Sequence, residues 1–152
     1  MSHTVEKIGG TSMSQYAAVR DNVILGHKNK RGVAGRIMVV SAYGGITDLL
    51  LEHKKTGRLG VYGLFAANED GQSWREAMDV VREHMLAINS ELFDETINRQ
   101  RADEFITARL DTTRRCLDDL QRLCQHGHFS LRDHLQTVRE MLACLGEAHS
   151  AW

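Results

Sequence analysis

Short apolar runs and glycine pairs alternate in the first part of the chain. Thr4–Ile8 alternates polar and apolar side chains and precedes Gly9-Gly10. Ile37–Val40 is a continuous apolar run, and Gly44-Gly45 follows it. Alternation predicts a half-buried strand, whereas a continuous run predicts a strand buried on both faces. Each glycine pair therefore forms the turn that leaves a strand.

A helix is predicted after each glycine turn. Ser12 or Ser14 can cap the first helix, which runs through four apolar positions, Tyr16, Val19, Val23 and Ile24. The polar run at 27–32 ends it as a solvated loop, and the second helix covers Thr47 to Lys55. Strands joined through helices pair in parallel with a right-handed crossover. Both turns then lie at the carboxyl edge of the sheet, where α/β proteins bind ligands.

Apolar residues recur at alternating spacings of four and three in the second part of the chain. A polar loop at 56–72 and a capping box of Ser73 and Glu76 precede them. The three series are Trp74, Met78, Val81, Met85, Ile88, Leu92; Ile106, Leu110, Thr113, Leu117, Leu120, Cys124; and Leu131, Leu135, Val138, Leu142, Leu145. This spacing predicts three helices packed at shallow angles as antiparallel neighbours, with their seams in the core. A seam that pairs with another subunit is the alternative.

Composition narrows the function classes. The chain has 152 residues, 42% hydrophobic and 26% charged, with a formal net charge of −1 and no proline. These values fit one globular domain with long helices and exclude a largely disordered chain. The low net charge gives no general attraction to nucleic acid, and no apolar stretch is long enough to span a membrane. We expect neither a nucleic-acid nor a membrane partner.

Three cysteines, with no secretory signal, favour a reduced, cytoplasmic compartment. Buried structural thiols are the interpretation that we favour for Cys116, Cys124 and Cys144. Cys124 with His126 and His128 lacks zinc-ligand spacing and a fourth ligand, so we predict no protein-bound metal.

Both glycine turns suit an anion. Lys7 precedes Gly9-Gly10, and glycines let backbone amides approach an anion closely. The start of the following helix, including Thr11 and Ser12, adds partial positive charge. Ser41 and Thr47 place hydroxyl groups at the two ends of the second turn. Two such turns on neighbouring strands suggest a site for phosphates, or for a phosphate and a carboxylate; purely structural turns are the alternative.

Three ordered segments resemble the aspartate kinases. Val5-Glu6-Lys7-Ile8-Gly9-Gly10-Thr11-Ser12 looks like their opening V-x-K-F-G-G-T-S motif, and the segment at 39–50 is similar to V-V-S-A-x-x-G-x-T-[DN]-x-L. Gly146-Glu147-Ala148-His149-Ser150-Ala151 resembles their G-E-x-x-S-A segment. The stretch at 54–65 looks most like the ectoine-associated members.

The resemblance implies an α/β protein, part of a three-layer αβα amino-acid-kinase fold (carbamate-kinase-like) with parallel strands followed by a mainly helical half. It implies transfer of the ATP γ-phosphoryl group to the β-carboxylate of L-aspartate with Mg²⁺, the first step of the aspartate-family amino-acid pathway. We also expect a homo-oligomer, because a chain that is only part of a kinase domain would expose apolar sheet and helix surface. Lys7, the catalytic residue, would contact phosphate oxygens together with Gly9, Gly10, Thr11 and Ser12. Aspartate would contact Ser41, Gly44, Gly45, Thr47 and Glu147, with Glu147 opposing its ammonium group.

The sequence departs from the family pattern at several positions. Ile8 replaces the usual Phe, and Cys144-Leu145 stands where Ser-Phe often precedes Gly-Glu. We expect 1–152 to be the N-terminal part of a kinase domain: turns at 1–55, a loop at 56–72, helices at 73–145 and the substrate segment at 146–152. The nucleotide half and the regulatory ACT domains would be absent, which predicts an inactive chain. An acetylglutamate- or glutamate-kinase-like enzyme and a non-enzymatic helical interaction module are the alternatives.

Overall fold

A computed structural model of the chain describes residues 3–26, 34–67, 71–94, 96–127 and 129–152. The predicted polar loop at 27–32 and the histidine at position 128 lie outside these ranges. The described chain is an α/β protein in which helices predominate over a two-stranded parallel sheet.

The sheet pairs β1 (Thr4–Ile8) with β2 (Arg36–Val40) in parallel, from Thr4 opposite Arg36 to Ile8 opposite Val40. Between the strands come two short helices and a π-helical turn: α1 (Gly10–Met13), α2 (Tyr16–Val19) and Arg20–Ile24. Ile8, Met13 and Val19 form a small buried cluster between the helices and the sheet. The predicted strand, helix, strand order and parallel pairing are confirmed.

The opposite face of the sheet is open. Val5, Ile37 and Val39 are 68%, 50% and 46% exposed, and Val5 pairs with Ile37 in the sheet register. The prediction that β2 is buried on both faces is therefore wrong for the described chain. A continuous apolar run marks a strand suited to two covering layers, and the described residues supply only one of them.

Arg36 links the two strands to the helical segment that covers one face of the sheet. Its guanidinium donates to both carboxylate oxygens of Glu6, at 2.7 and 2.5 Å, and to the carbonyl oxygens of Val23 and Ile24, both at 2.7 Å. Hydrogen bonding from Arg36 lowers the pKa of Glu6. The side chain thus joins the end of the π-helical turn to both strands, because a guanidinium offers several donors in one plane.

The connection between the two parts of the chain differs from its prediction. The helix predicted from Thr47 to Lys55 is α3 (Ile46–Leu50), which ends five residues earlier. Part of the predicted loop at 56–72 is a helix, α4 (Val61–Ala67), with Val61 and Phe65 buried. Val61 and Phe65 are four residues apart on one helical face, a signal obscured by Gly60 and Gly63 beside them.

The second part consists of α5 (Ser73–Leu92), α6 (Ile97–Gln125) and α7 (Leu131–Ala151). α5 packs against α6, and α6 packs against α7. Trp74, Met85 and Leu117 are buried as predicted, whereas Leu135 is only half-buried. The three helical seams are thus largely confirmed as intramolecular core. α5 begins at Ser73 with Gln72 in the N-cap position, so the predicted Ser73 cap is displaced by one residue.

The prediction that the three cysteines are buried is wrong. Cys116 and Cys144 are exposed and Cys124 is half-buried, so they are not buried structural cysteines. Cys116 precedes the buried Leu117 and Cys144 precedes the buried Leu145. One residue turns a helix by about 100°, which moves each thiol off the core-facing stripe.

None of the helices in the described ranges has both the length and the apolar composition needed to cross a membrane.

Candidate functional site

The two glycine turns lie against each other at the carboxyl edge of the sheet. The amide of Ser41 donates to the carbonyl of Ile8 across 3.1 Å. A Cβ atom built on Gly10 would lie 3.4 Å from the carbonyl oxygen of Ala42 and 3.9 Å from the Cβ atom of Ser41. The turns are therefore adjacent, as the parallel pairing predicts.

The first turn leads directly into α1. Gly9 is exposed and in the N-cap position, and no atom lies within 4 Å of where its Cβ would be. The first amides of a helix lack acceptors within it, so those of Gly10, Thr11 and Ser12 are available to a ligand. α1 has only four residues, however, so its dipole adds less positive charge at this turn than the dipole of a longer helix would.

Neither predicted serine cap forms on the first helix. Ser12 lies within α1, and Ser14 follows its last residue. The Ser14 hydroxyl donates to the carbonyl of Gly10 across 3.3 Å. A Cβ atom on Gly44 would lie 1.9 Å from this hydroxyl oxygen, so glycine at 44 allows the second turn to close onto the first.

Lys7 is exposed. It pairs with Val39 in the sheet register and lies on the open face that carries Val5. Side chains alternate between the two faces along a strand, so the same alternation that buries Ile8 directs Lys7 away from the α1–α2 layer.

The second turn carries the predicted aspartate contacts. Ser41 follows the last residue of β2, and Thr47 lies in the first turn of α3; both are half-buried. Gly45 has a φ of 84°, a left-handed conformation that glycine adopts without strain. α3 therefore starts abruptly and keeps Ser41 and Thr47 on one compact turn.

α7 brings the third motif to this turn. A Cβ atom on Gly146 would lie 3.2 Å from three side-chain atoms: Ala42 Cβ, Ile46 Cγ2 and Leu50 Cδ1. Glycine at 146 therefore lets α7 approach α3 closely. Glu147 follows and is exposed to solvent. Its role as partner of an ammonium group stays a prediction.

A buried polar network connects the same turn to α5, α6 and α7. The ring of His149 lies edge-on to Tyr43 with the ring centroids 5.1 Å apart. Its Nε2 atom lies 2.9 Å from Oδ1 of Asn89, and Nδ2 of Asn89 donates to Asp103 across 2.8 Å. Because Asn89 uses its amide nitrogen on Asp103, its oxygen faces His149, so Nε2 of His149 carries the proton.

Burial controls the ionisation of this network. Desolvation lowers the pKa of His149 to about 4, although the Asp103 charge acts in the opposite direction. Desolvation also raises the pKa of Tyr43 to about 12. At neutral pH both rings are therefore uncharged. The Nδ1 atom of His149 is buried and has no hydrogen-bond partner among the described residues.

Asn89, Asp103 and His149 were not predicted as a set from the sequence. One signal was available: Asn89 lies four residues after Met85 and His149 lies four residues after Leu145, so each falls on the core-facing side of its helix. A polar side chain at a core position usually has a partner. The identity of that partner depends on which helices meet, which spacing along one helix does not specify.

A cavity of about 270 Å³ lies beside the second turn, between α1, α2 and α5. Gly44, Tyr43 and Ser14 line it, but Lys7, Ser41, Thr47 and Glu147 do not. Across the described ranges, no group of three or more His, Cys, Asp or Glu side chains is placed to hold a metal ion.

The sequence was also compared with known proteins. It is 54% identical over 150 residues to the aspartate kinase Ask_Ect of Stutzerimonas stutzeri (strain A1501). The aligned region is 99% of this chain. The chain is homologous to an aspartate kinase. It spans only 32% of the length of that relative.

This homology confirms the aspartate-kinase resemblance carried by the three motifs. The relative's name also agrees with the ectoine-associated subgroup predicted from the stretch at 54–65. No family model matches the chain, and no solved structure matches it. The relationship to aspartate kinases therefore rests on the relative and on the motifs.

Proposed function

We propose that this chain supplies the aspartate-binding and phosphate-binding part of an aspartate kinase, which transfers the ATP γ-phosphoryl group to the β-carboxylate of L-aspartate. In this proposal the chain forms the N-terminal part of an amino-acid-kinase fold. The proposal is supported by the 54% identity to an aspartate kinase over 99% of the chain.

The observation that carries the site assignment is the contact of Gly146 with Ala42, Ile46 and Leu50. The three motifs are separated by about 30 and about 100 residues in the sequence, yet they converge in the fold. The first turn contacts the second through Gly10 and Ser41, and the third motif contacts the second through Gly146. A shared ligand accounts for this convergence more directly than three unrelated structural turns.

The chemistry needs little beyond positioning and charge. The β-carboxylate of aspartate is ionised at neutral pH, so no general base has to activate it. The barrier comes from bringing two anions together, and donors around the transferring group lower it. We assign this role to the exposed Lys7 and to the amides of Gly9, Gly10, Thr11 and Ser12. Mg²⁺, bound to the ATP phosphates, would supply additional positive charge.

The second turn and α7 would hold the acceptor. The hydroxyl groups of Ser41 and Thr47 can donate to a carboxylate of aspartate, and Gly44 and Gly45 would contribute backbone amides from the same turn. Glu147 would oppose the ammonium group. An acceptor held in this way gains effective concentration relative to the phosphoryl donor, which is the main contribution of an enzyme to such a transfer.

Titration of the ¹⁵N-labelled chain with L-aspartate tests the assignment. We expect amide shifts at Ser41, Thr47 and Glu147, and weaker binding after Thr47→Val. Succinate has the two carboxylates but no ammonium group. Glu147→Gln should therefore reduce the preference for L-aspartate over succinate about tenfold, the effect of about 1.4 kcal/mol.

Glu140→Gln is the matched control, because Glu140 is also an exposed carboxylate on α7. It should leave the preference unchanged. Shifts of equal size with L-glutamate would favour the other acyl-phosphate-forming kinases. The absence of any aspartate-dependent shift would favour purely structural turns and contradict the proposal.

A further inference from the structure

A second pocket lies beside α3, next to the second glycine turn. The loop at 51–60, α4 and α5 enclose it together with α3, and its volume is about 610 Å³. This volume falls within the range of about 300–1,000 Å³ that is typical of small-molecule sites. Asp48 and Gly45, a predicted aspartate contact, line this pocket, whereas Lys7, Ser41, Thr47 and Glu147 do not.

The loop that forms one wall of the pocket is preorganised. The amide of His53 donates to the carbonyl of Arg58 across 2.9 Å, and the amide of Gly60 donates to Leu51 across 3.0 Å. A Cβ atom on Gly60 would lie 2.3 Å from the carbonyl oxygen of Leu49, so only glycine permits this close approach. A ligand would therefore meet a wall that is already ordered, which reduces the entropy cost of binding.

The interior of the pocket is apolar and open to water. Leu49, Leu59, Leu64 and Val80 line it. Leu59 and Val80 are 44% and 47% exposed, so each leaves apolar surface that a ligand could cover. An apolar body on the ligand would gain free energy from removing this surface from water.

The polar lining contains a guanidinium, that of Arg58. Arg58 lines the pocket, and no carboxylate of the described residues lies within ion-pairing distance of its guanidinium. A carboxylate is the ligand group that matches a guanidinium in shape as well as in charge.

The lining also contains a carboxylate, that of Asp48. Nδ1 of His53 accepts the amides of Lys55 and Thr56 at 3.3 and 3.2 Å, so its proton is on Nε2. Nε2 lies 3.9 Å from Oδ2 of Asp48, too far for a hydrogen bond. The carboxylate of Asp48 is therefore available to another donor.

We propose that this pocket binds an α-amino acid with an apolar side chain. Its carboxylate pairs with Arg58, its ammonium group pairs with Asp48, and its side chain packs on Leu59 and Val80. An acidic amino acid is a poor match, because its second carboxylate would meet apolar walls. The proposal does not depend on the kinase assignment, since Arg58 and Asp48, the two groups that pair with the ligand, are not among the predicted aspartate contacts; Gly45 alone belongs to both sites.

Three related probes test it: L-phenylalanine, phenethylamine and 3-phenylpropionate. The two analogues remove the carboxylate and the ammonium group in turn while keeping the apolar body. Each is titrated to about 20 mM into the ¹⁵N-labelled 152-residue chain, because small ligands of this size bind weakly. We expect saturable shifts at Arg58, Leu59 and Val80 with L-phenylalanine, and at least tenfold weaker binding of both analogues.

Arg58→Gln and Asp48→Asn should each weaken L-phenylalanine binding at least tenfold. Lys55→Gln is the matched control, since it removes a positive charge from the same loop without altering the lining. The proposal is overturned if L-phenylalanine does not bind, if 3-phenylpropionate binds equally well, or if Arg58→Gln behaves like Lys55→Gln. The amide spectrum of each variant verifies its fold before titration.

Discussion

Nε2 of His149 lies 2.9 Å from Oδ1 of Asn89, in a buried contact that joins α7 to α5. The contact needs a proton on Nε2 of His149, because Asn89 offers it an oxygen acceptor and donates its amide hydrogen to Asp103, and burial keeps the ring uncharged at neutral pH. His149 also packs edge-on against Tyr43 in the second glycine turn. Protonation of His149 would therefore place a charge in a buried contact between α7, α5 and the second glycine turn, which costs folding free energy.

Stability should fall with acid because of this histidine. The pKa of His149 is about 4 in the folded chain against 6.5 for an ordinary histidine. Between these values the unfolded state binds more protons, so stability is fully present above about pH 6.5 and is lost as pH falls toward 4. From pH 7 to pH 5 we expect a loss on the order of 2 kcal/mol from this group.

Urea unfolding at the two pH values measures this effect. His149→Gln should lower stability at pH 7 and reduce the further loss at pH 5. His126→Gln is the control, because His126 is exposed, and it should leave the pH dependence unchanged. An identical pH dependence in wild type and His149→Gln would contradict the prediction.

Local sequence patterns predicted the type of most elements of this fold better than they predicted how deeply those elements are buried. The alternating Thr4–Ile8 and the apolar Ile37–Val40 are strands, because strand formation follows from local periodicity. The burial of Ile37 and Val39 was predicted incorrectly, since it depends on a second covering layer. α4 was missed because Gly60 and Gly63 resemble loop residues, although each instead permits a close contact with Leu49 or Leu59.

The candidate site could likewise be predicted only in part from local sequence patterns. The order of the motifs in the sequence identified the two turns and the Gly146-Glu147 segment. In the structure the parallel sheet places the two turns side by side, and α7 places Gly146 against the second turn. The network of Asn89, Asp103 and His149 could not be predicted in the same way. Its three residues lie on three helices, and only tertiary packing determines which polar side chains meet.

Gly146→Ala should loosen the packing of α7 on the second turn. The added methyl group would lie 3.2 Å from each of three side-chain atoms, which is tighter than normal van der Waals contact. Overpacking of a core costs about 1–3 kcal/mol, and the better helix propensity of alanine offsets up to about 1 kcal/mol. We expect a net destabilisation of about 1 kcal/mol in urea unfolding.

Gly9→Ala is the matched control for this substitution, because no atom lies within 4 Å of its Cβ position. It should change stability by less than about 0.5 kcal/mol. Stabilisation by Gly146→Ala would show that α7 can move away from the turn without cost, against the close packing described here.

The open sheet face predicts self-association. Val5, Ile37 and Val39 form exposed apolar surface on one side of β1 and β2, and contiguous surfaces of this kind commonly mark protein interfaces. We expect a dimer or higher oligomer in sedimentation at about 100 μM. A weak interface with a Kd of about 10 μM, roughly −7 kcal/mol, would be largely populated at that concentration.

Ile37→Lys should shift the distribution toward monomer by placing a charge on this face. Leu123→Lys is the control, because Leu123 is similarly exposed but lies on α6. A monomer at about 100 μM, or equal dissociation by the two variants, would contradict an interface through the sheet.

The 152-residue chain alone should not phosphorylate L-aspartate at a useful rate. The chain corresponds to 32% of the length of its aspartate-kinase relative, and its proposed site holds the acceptor and part of the phosphate only. Phosphoryl transfer depends on positioning both reactants, and the effective concentration falls steeply when one is not held. Anion binding should nevertheless persist, because Lys7 at the end of β1 and the Gly9-Gly10 turn are close together in the sequence. Sulfate should bind weakly there, and Lys7→Ala should abolish this binding while Lys55→Ala should not.

Hydroxylamine trapping of aspartyl phosphate, with ATP and Mg²⁺, measures the phosphorylation activity of the 152-residue chain. Turnover within about tenfold of the typical enzyme value of about 10 s⁻¹ would contradict the prediction, because it would show that these residues hold both reactants without further protein.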